Sequence, residues 1–176
     1  CPLKGSYQAE NFRTVQVAVQ LLSKSWDISK EDIASGFKNV LKNTQLQGRW
    51  QTLSINPLII CDIGHNKEGL IYNIDRLASY NKPFAFLLGF VNDKNVADIL
   101  QLFPKDGLFI LTEPNIPRAL PINELEKIAI SLGINYNATS TVKSGIQEYY
   151  NSYANDHNLY VGGSTFIVSD ILKVWS

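Results

Sequence analysis

From residue 50 onward the chain alternates between short apolar runs and longer amphipathic ones. The short runs are "WQTLSI", "PLIICD", "PFAFLLG", "LFILTE", a brief "INYN" and "NLYVGG". Most lack the polar alternation of a half-solvated strand, so they predict strands of a sheet covered on both faces. Between them "KEGLIYNIDRLASY", "KNVADILQLF", "NELEKIAISLG", "VKSGIQEYYNSYA" and "STFIVSDILKVW" carry helical patterns. Short connections and strict alternation predict a doubly wound α/β layer, with a mostly parallel sheet and helices on both faces.

Before Asn43 the pattern differs, with two helical signals and no strand. "ENFRTVQVAVQLL" sets Val15, Ala18, Val19 and Leu22 at i, i+3, i+4 and i+7, an amphipathic stripe. "ISKEDI" offers Ser29 as an N-cap with Asp32 three residues on, flanked by Ile28 and Ile33. The helix it opens has Ile33, Phe37, Val40 and Leu41 on its apolar face. Two such helices cannot bury both stripes against each other. They are therefore expected to be the end of a larger upstream domain, dividing the chain into residues 1–43 and 44–176. The chain also begins at cysteine and holds no methionine, and it reads as a segment of something longer.

Composition narrows the function classes. The 176 residues suit one domain, or one domain plus part of another, and 45% hydrophobic content is ample for a core. Lys plus Arg and Asp plus Glu are both 16, so the clustered excess of base that a nucleic-acid footprint needs is missing. No apolar stretch approaches the roughly 18–20 residues of a membrane span, and no signal-peptide pattern opens the chain. Cys1 and Cys61 are too few for a disulfide scaffold, and a cytoplasmic protein is expected.

In an open α/β sheet, ligands bind beyond the carboxyl ends of the strands. Residues 62–66 ("DIGHN"), 89–94 ("GFVNDK"), 112–118 ("TEPNIPR") and 162–165 ("GGST") all fall on that rim. In the first, Asp62 or Asn66 could simply cap the next helix. Alternatively Asp62 could accept two ribose hydroxyls, with His65 and the following helix amides facing an anion. In "GFVNDKN", Asp93 would cap a helix. "GGST" is either a tight turn or an anion-binding one. Cys61, Asp62 and His65 make a weak metal set, because adjacent strand residues point to opposite faces. His157 in "ANDHN" is expected in a solvent-exposed loop. No G-x-x-x-x-G-K-[ST], no G-x-G-x-x-G behind a strand and no nucleophile elbow is present, so the chain by itself holds half a site.

Several of these residues match one family in order. "GRW" followed by "DIGHNKEG" resembles the "GR" and "D-G-A-H-N-P-E-G" motifs of folylpolyglutamate synthase/dihydrofolate synthase, of the Mur ligase superfamily. "LKGSYQAENFRT" is similar to the end of that family's central ATPase domain, and "LQGRW" to its interdomain linker. "GFVNDKNV", "PNIPRALP" and "GGSTFIVSDIL" resemble three later segments. The chain departs from the pattern at Ile63-Gly64, Lys67, Asn95 and Thr165-Phe166.

The resemblance implies a Rossmann-like C-terminal lobe of an ATP-dependent ligase. Such enzymes phosphorylate a folate or dihydropteroate carboxylate, and the amine of L-glutamate then attacks the acyl phosphate. ATP and magnesium would be required, with the phosphate loop and metal ligands in upstream domains and none in this chain. The fragment alone would be inactive and the parent monomeric. Arg49 would meet the ATP phosphates, Asp62 would bind ribose or orient Arg49, and Asn66 would fix the loop. His65 would touch phosphate or glutamate. Arg118 and Ser164 are candidates for the glutamate carboxylates, and Gln8 and Asn11 match positions near the nucleotide. A non-catalytic α/β module that binds a small anion or nucleotide on the same rim is the rival reading.

Overall fold

The structure is a computed structural model that describes residues 1–3 and 8–175. Part of the first motif, residues 4–7, therefore lies outside the described residues. Three helices come first: α1 (Gln8–Leu22), α2 (Lys30–Lys38) and α3 (Val40–Thr44). Then follow β1 (Gln51–Ile55), β2 (Leu58–Cys61), α4 (Lys67–Ala78), β3 (Phe84–Leu88), α5 (Val96–Leu100) and β4 (Leu108–Thr112). The remainder is α6 (Ile122–Ser131), β5 (Tyr136–Thr139), α7 (Val142–Ser152), β6 (Asn158–Gly162) and α8 (Thr165–Trp175). No described helix is long and apolar enough to cross a membrane.

The strands form one sheet in the order β1-β2-β6-β3-β4-β5. Only β1 runs antiparallel, paired to β2 as a hairpin with a register shift between Thr52 and Ser54. The other neighbours are parallel. Successive strand residues point to opposite faces, so each uncharged run serves two cores. Ile60, Phe86, Leu88, Phe109, Leu111 and Tyr160 pack with Leu70, Ile99 and Leu125 of α4, α5 and α6. Ile59, Cys61, Leu87, Ile110 and Val161 pack instead with Ile146 and Tyr149 of α7 and Ile167 and Ile171 of α8. The doubly wound layer read from the pattern is the fold observed.

Element ends depart from the sequence reading where side chains or turns compete with the backbone. One helix was expected through Ile33, Phe37, Val40 and Leu41. Asn39 divides it: its Nδ2 donates to the Ser35 carbonyl at 3.0 Å and its backbone leaves the helical region at φ −104. The expected capping box is present, with Ser29 Oγ accepting from Asp32 N–H at 3.0 Å and Asp32 Oδ2 from Ser29 N–H at 3.0 Å. Strand β5 starts two residues later than "INYN" suggests. Gly133, at φ 67, closes α6, with its N–H on Ile130 O and Ile134 N–H on Ala129 O. Helix α5 is capped by Asn95, which accepts from Asp98 N–H, and not by Asp93.

The first two helices keep the unpartnered faces the pattern implied. Phe12 and Phe37 meet edge to face at 5.4 Å. Around them Val15, Val19, Ile33 and Val40 line an apolar groove of about 330 Å³. Val15 and Leu22 of the α1 stripe remain 43% and 45% exposed, whereas sheet residues such as Ile59 and Leu87 are wholly buried. Burying an aliphatic side chain contributes roughly 1.5–3 kcal/mol, so α1 and α2 gain far less per residue than the sheet does. Hydrogen exchange should therefore show weak protection across residues 8–42 and strong protection in β2, β3 and β6. Equal protection in both regions would mean the helices have acquired a covering partner in solution.

Candidate functional site

Strand β2 sends its chain to α4 on one face, and its neighbour β6 sends its chain to α8 on the other. Connections diverging from adjacent parallel strands open a crevice beyond their carboxyl ends. The segment that leads into β1 crosses this crevice. Gly48, at φ 72, carries a carbonyl that accepts from Ile63 N–H at 2.8 Å. A Cβ there would come within 2.7 Å of Ile63 Cγ2 and 2.8 Å of Val168 Cγ1, so only glycine fits. Two residues on, Trp50 N–H donates to Asp62 Oδ2 at 2.7 Å, and the Arg76 guanidinium lies 4.2 Å from the Trp50 ring centre. Arg49 sits between these two anchors and is half-buried.

Asp62 is the centre of this arrangement. It is 1% exposed. Besides Trp50 N–H, its carboxylate accepts from Gly64 N–H at 2.8 Å and from Asn73 Nδ2 at 2.8 Å. The ribose contact considered for Asp62 is therefore not the one this geometry serves, because the carboxylate is turned inward onto its own loops. Its contact nearest Arg49 is with the backbone of the next residue, Trp50. Asn73 in turn donates to the Tyr160 hydroxyl at 3.0 Å.

A cleft of about 300 Å³ lies over this hub, lined by Asn11, Arg49, Asp62, His65, Asn66 and Tyr72 among others. His65 is exposed, and its Nδ1 lies 3.1 Å from the Ile63 carbonyl. A carbonyl only accepts, so this contact needs a proton on Nδ1 and leaves Nε2 as the nitrogen for chemistry. Asn66 caps α4, its Oδ1 accepting from Gly69 N–H at 3.0 Å, which is the bland alternative considered for it. Gln8 is 4% exposed and accepts from Asn11 Nδ2 at 3.0 Å. It lines the apolar groove, whereas Asn11 lines both groove and cleft.

The two glutamate candidates do not join this cleft. Ser164 is 2% exposed, and its Oγ accepts from Ile167 N–H at 3.2 Å, so its hydroxyl serves the start of α8. Arg118 is exposed at the β4 end, 4.0 Å from Asp93 and 5.0 Å from the Phe166 ring centre. A larger concavity of about 660 Å³ lies beyond β4 and β5. Its acidic groups are committed: Glu113 accepts from Ile122 N–H, and Asp170 from Asn115 N–H and Lys173. His157 is half-buried against Tyr153 and not solvent-exposed as expected; its Nδ1 is buried with no hydrogen-bond partner. Among the described residues no group of three His, Cys, Asp or Glu side chains could hold a metal ion.

Sequence reasoning missed Asn73, Arg76 and Tyr160. A signal existed for the first: Asn73 interrupts the apolar stripe of Leu70 and Leu77 on α4. Nothing in "NLYVGG" marks Tyr160 as a polar partner.

No protein-family model matches the chain. Among curated proteins it is similar to the probable dihydrofolate synthetase of Schizosaccharomyces pombe, with 31% identity over 112 residues, 60% of this chain and 26% of that protein. It is 26% identical over 142 residues to the dihydrofolate synthase/folylpolyglutamate synthase of Buchnera aphidicola, 78% of this chain and 33% of that one. The chain thus spans between 26% and 33% of these relatives' length. Among solved structures, Mycobacterium tuberculosis folylpolyglutamate synthase complexed with ADP and AMPPCP matches with a TM-score of 0.84 at 19% identity, over 99% of this chain and 41% of that one. A bifunctional folylpolyglutamate synthase/dihydrofolate synthase with Mn, AMPPNP and L-glutamate bound matches with a TM-score of 0.71 at 22% identity, over 88% and 36%. At such identities the structures speak for the fold alone. The names of the curated relatives bear out the resemblance drawn from the motifs.

The hub borders a thiol whose state can be measured. Burial, and secondarily the Asp62 charge, push the Cys61 thiol up from 9.0 to about 12. The folded chain therefore holds Cys61 neutral while the unfolded chain ionises it near 9. Stability should be unaffected by this group below pH 9 and fall by up to about 1.4 kcal/mol per pH unit between pH 9 and 12. Iodoacetamide at pH 8.5 should label exposed Cys1 and spare Cys61 until denaturant is added. Rapid native labelling of Cys61 would show that the β2 end opens to solvent.

Proposed function

We propose that this chain is the C-terminal part of a folylpolyglutamate synthase/dihydrofolate synthase, an ATP-dependent ligase that joins L-glutamate to a folate or dihydropteroate carboxylate. Residues 44–176 are the α/β lobe, and residues 1–43 are the last helices of the ATPase domain before it. The observation that carries the reading is the Arg49 cleft. Residues of three motifs, Asn11 of "AENFRT", Arg49 of "GRW" and residues 62–66 of "DIGHN", share one crevice. The relatives' names and the nucleotide and glutamate named in the matching structures support it.

In this reading ATP transfers its γ-phosphoryl group to the substrate carboxylate. The amine of glutamate then attacks the acyl phosphate, forming the amide and releasing phosphate. Arg49 supplies a fixed, permanently charged fork where phosphoryl charge moves. His65, exposed beside it, faces phosphate or the incoming amine. Asp62 acts as a positioning residue for the Arg49 loop. Asn66 holds the start of α4, its side chain accepting from Gly69 N–H. Gln8 and Asn11 bring the upstream helix to the nucleotide, and Arg118 and Ser164 stay secondary candidates for glutamate. The lobe closes over the reacting groups and keeps water from the acyl phosphate. Magnesium would neutralise phosphate charge, its ligands supplied by the upstream domains in this reading. A cytoplasmic, monomeric parent completes the proposal.

The chain by itself should not ligate glutamate, because it lacks a phosphate cradle. In the natural full-length protein, Arg49→Ala should lower glutamate ligation by roughly a hundred- to a thousandfold, as loss of a preorganised donor typically costs about 2.7–4 kcal/mol. Arg49→Lys keeps the charge but not the fork and should recover only part of that. Steady-state ligation with circular dichroism as the folding control makes the measurement. Near-normal turnover in a folded Arg49→Ala protein would reduce Arg49 to a linker residue and remove the main support for a ligase lobe.

A further inference from the structure

We propose that Asn73 is a positioning residue for Arg49, acting through the Asp62 carboxylate, with the Tyr160 hydroxyl anchoring its second amide proton. The proposal rests on the reading of the Arg49 cleft as a phosphoryl-handling site. Asn73 lies on the buried stripe of α4 between Leu70 and Leu77, where packing alone would favour another aliphatic residue. It is instead an amide, 1% exposed. Its Nδ2 directs one proton to Asp62 Oδ1 at 2.8 Å and the other to the Tyr160 hydroxyl at 3.0 Å. A flipped amide would turn its carbonyl oxygen onto a carboxylate, so the orientation is set by charge.

The carboxylate that Asn73 holds is attached to both loops of the cleft. Oδ1 also takes Gly64 N–H, beside His65, and Oδ2 takes Trp50 N–H, beside Arg49. These are loop amides, whereas Asn73 belongs to a helix seated in the core by Leu70 and Leu77. It therefore ties the carboxylate to the rigid part of the fold. One turn further on, Arg76 lies over the Trp50 ring at 4.2 Å. Helix α4 thus holds Trp50 at its backbone, through Asp62, and at its side chain, through Arg76. Trp50 adopts φ 48, a conformation that a non-glycine residue keeps only when its surroundings impose it. Arg49 takes its direction from that held neighbour.

Three variants test this, first by amide hydrogen exchange on the chain as it stands. Asn73→Leu keeps the volume and removes the donor, and Tyr160→Phe removes only the hydroxyl. Both should speed exchange at Trp50 and Gly64 at least about tenfold while β3 amides such as Leu87 stay protected. Asn73→Asp sets a second carboxyl against Asp62. A proton shared between them at acid pH restores the contact, and its loss as pH rises breaks it. Protection at Trp50 should therefore fall with pH in Asn73→Asp and not in the unmodified chain, a dependence that a space-filling role would not produce. In the natural full-length protein, Asn73→Leu should lower kcat by up to about a hundredfold with KM for glutamate little changed, the cost of misplacing a catalytic group by about 1 Å. Unchanged exchange at Trp50 and Gly64 in folded variants, with a flat profile for Asn73→Asp, would overturn the proposal. So would faster exchange with unchanged kcat. An unmodified natural protein without ligase activity would overturn the ligase reading and leave the exchange data to decide the hold on Trp50.

Discussion

A buried carboxylate must have its oxygens satisfied by hydrogen bonds, and Asp62 meets that demand in a way that shapes everything around it. Its two oxygens gather the amides of Trp50 and Gly64 and the side chain of Asn73. Those partners come from the segment leading into β1, the β2–α4 loop and α4. Three segments that could each move are therefore referred to one point at a strand end. The positive φ values of Gly48 and Trp50 are sustained by this point and by the close contact of Gly48 with Ile63 and Val168.

Topology decides where that point can matter. Because β6 inserts between β2 and β3, the connections from β2 and β6 part to opposite faces and leave a crevice between them. Gly162 and Gly163 at the β6 end let backbones approach: a Cβ on Gly162 would stand 3.1 Å from the Asp62 carbonyl oxygen, and one on Gly163 2.9 Å from Gly89 O. The crevice is thus narrow below, where main chains touch, and open above, where Arg49 and His65 face out. Arg49 and His65 stand above a floor of closely packed main chain at Asp62, Gly162 and Gly163.

Much of this was legible in the sequence. The uncharged strand runs and their alternation with amphipathic stretches carried the doubly wound layer, and "DIGHN" marked the rim where the cleft with Arg49 lies. Roles within the rim were harder. A carboxylate at a strand end reads the same whether it faces a ligand or its own loop, and only three-dimensional contact showed Asp62 turned inward. Ser164 and Asn66 behave alike, as residues that suit both helix starts and ligands. Asn73 was marked by its place in an apolar stripe, but its partners lie 11 and 87 residues away and no local pattern names them. Asn39 and Gly133 moved element ends because side-chain bonds and left-handed turns act at single residues, below the grain of periodicity.

The place of β6 bears also on how the chain reaches this state. Ile59 pairs with Leu159 and Phe84 with Asn158, so the centre of the sheet joins strands far apart in sequence. Until residues 158–162 arrive, β2 and β3 face each other across an empty slot, each with an open row of amides and carbonyls. Closing that slot carries the entropy of long loops before any contact rewards it, which makes such sheets slow to form. The crevice is assembled at the same step, because the β6 end supplies half its floor. A version of the chain cut before β6 would have a linker and an Asp62 loop but nothing to seat them, and its two bare strand edges would invite pairing with other molecules.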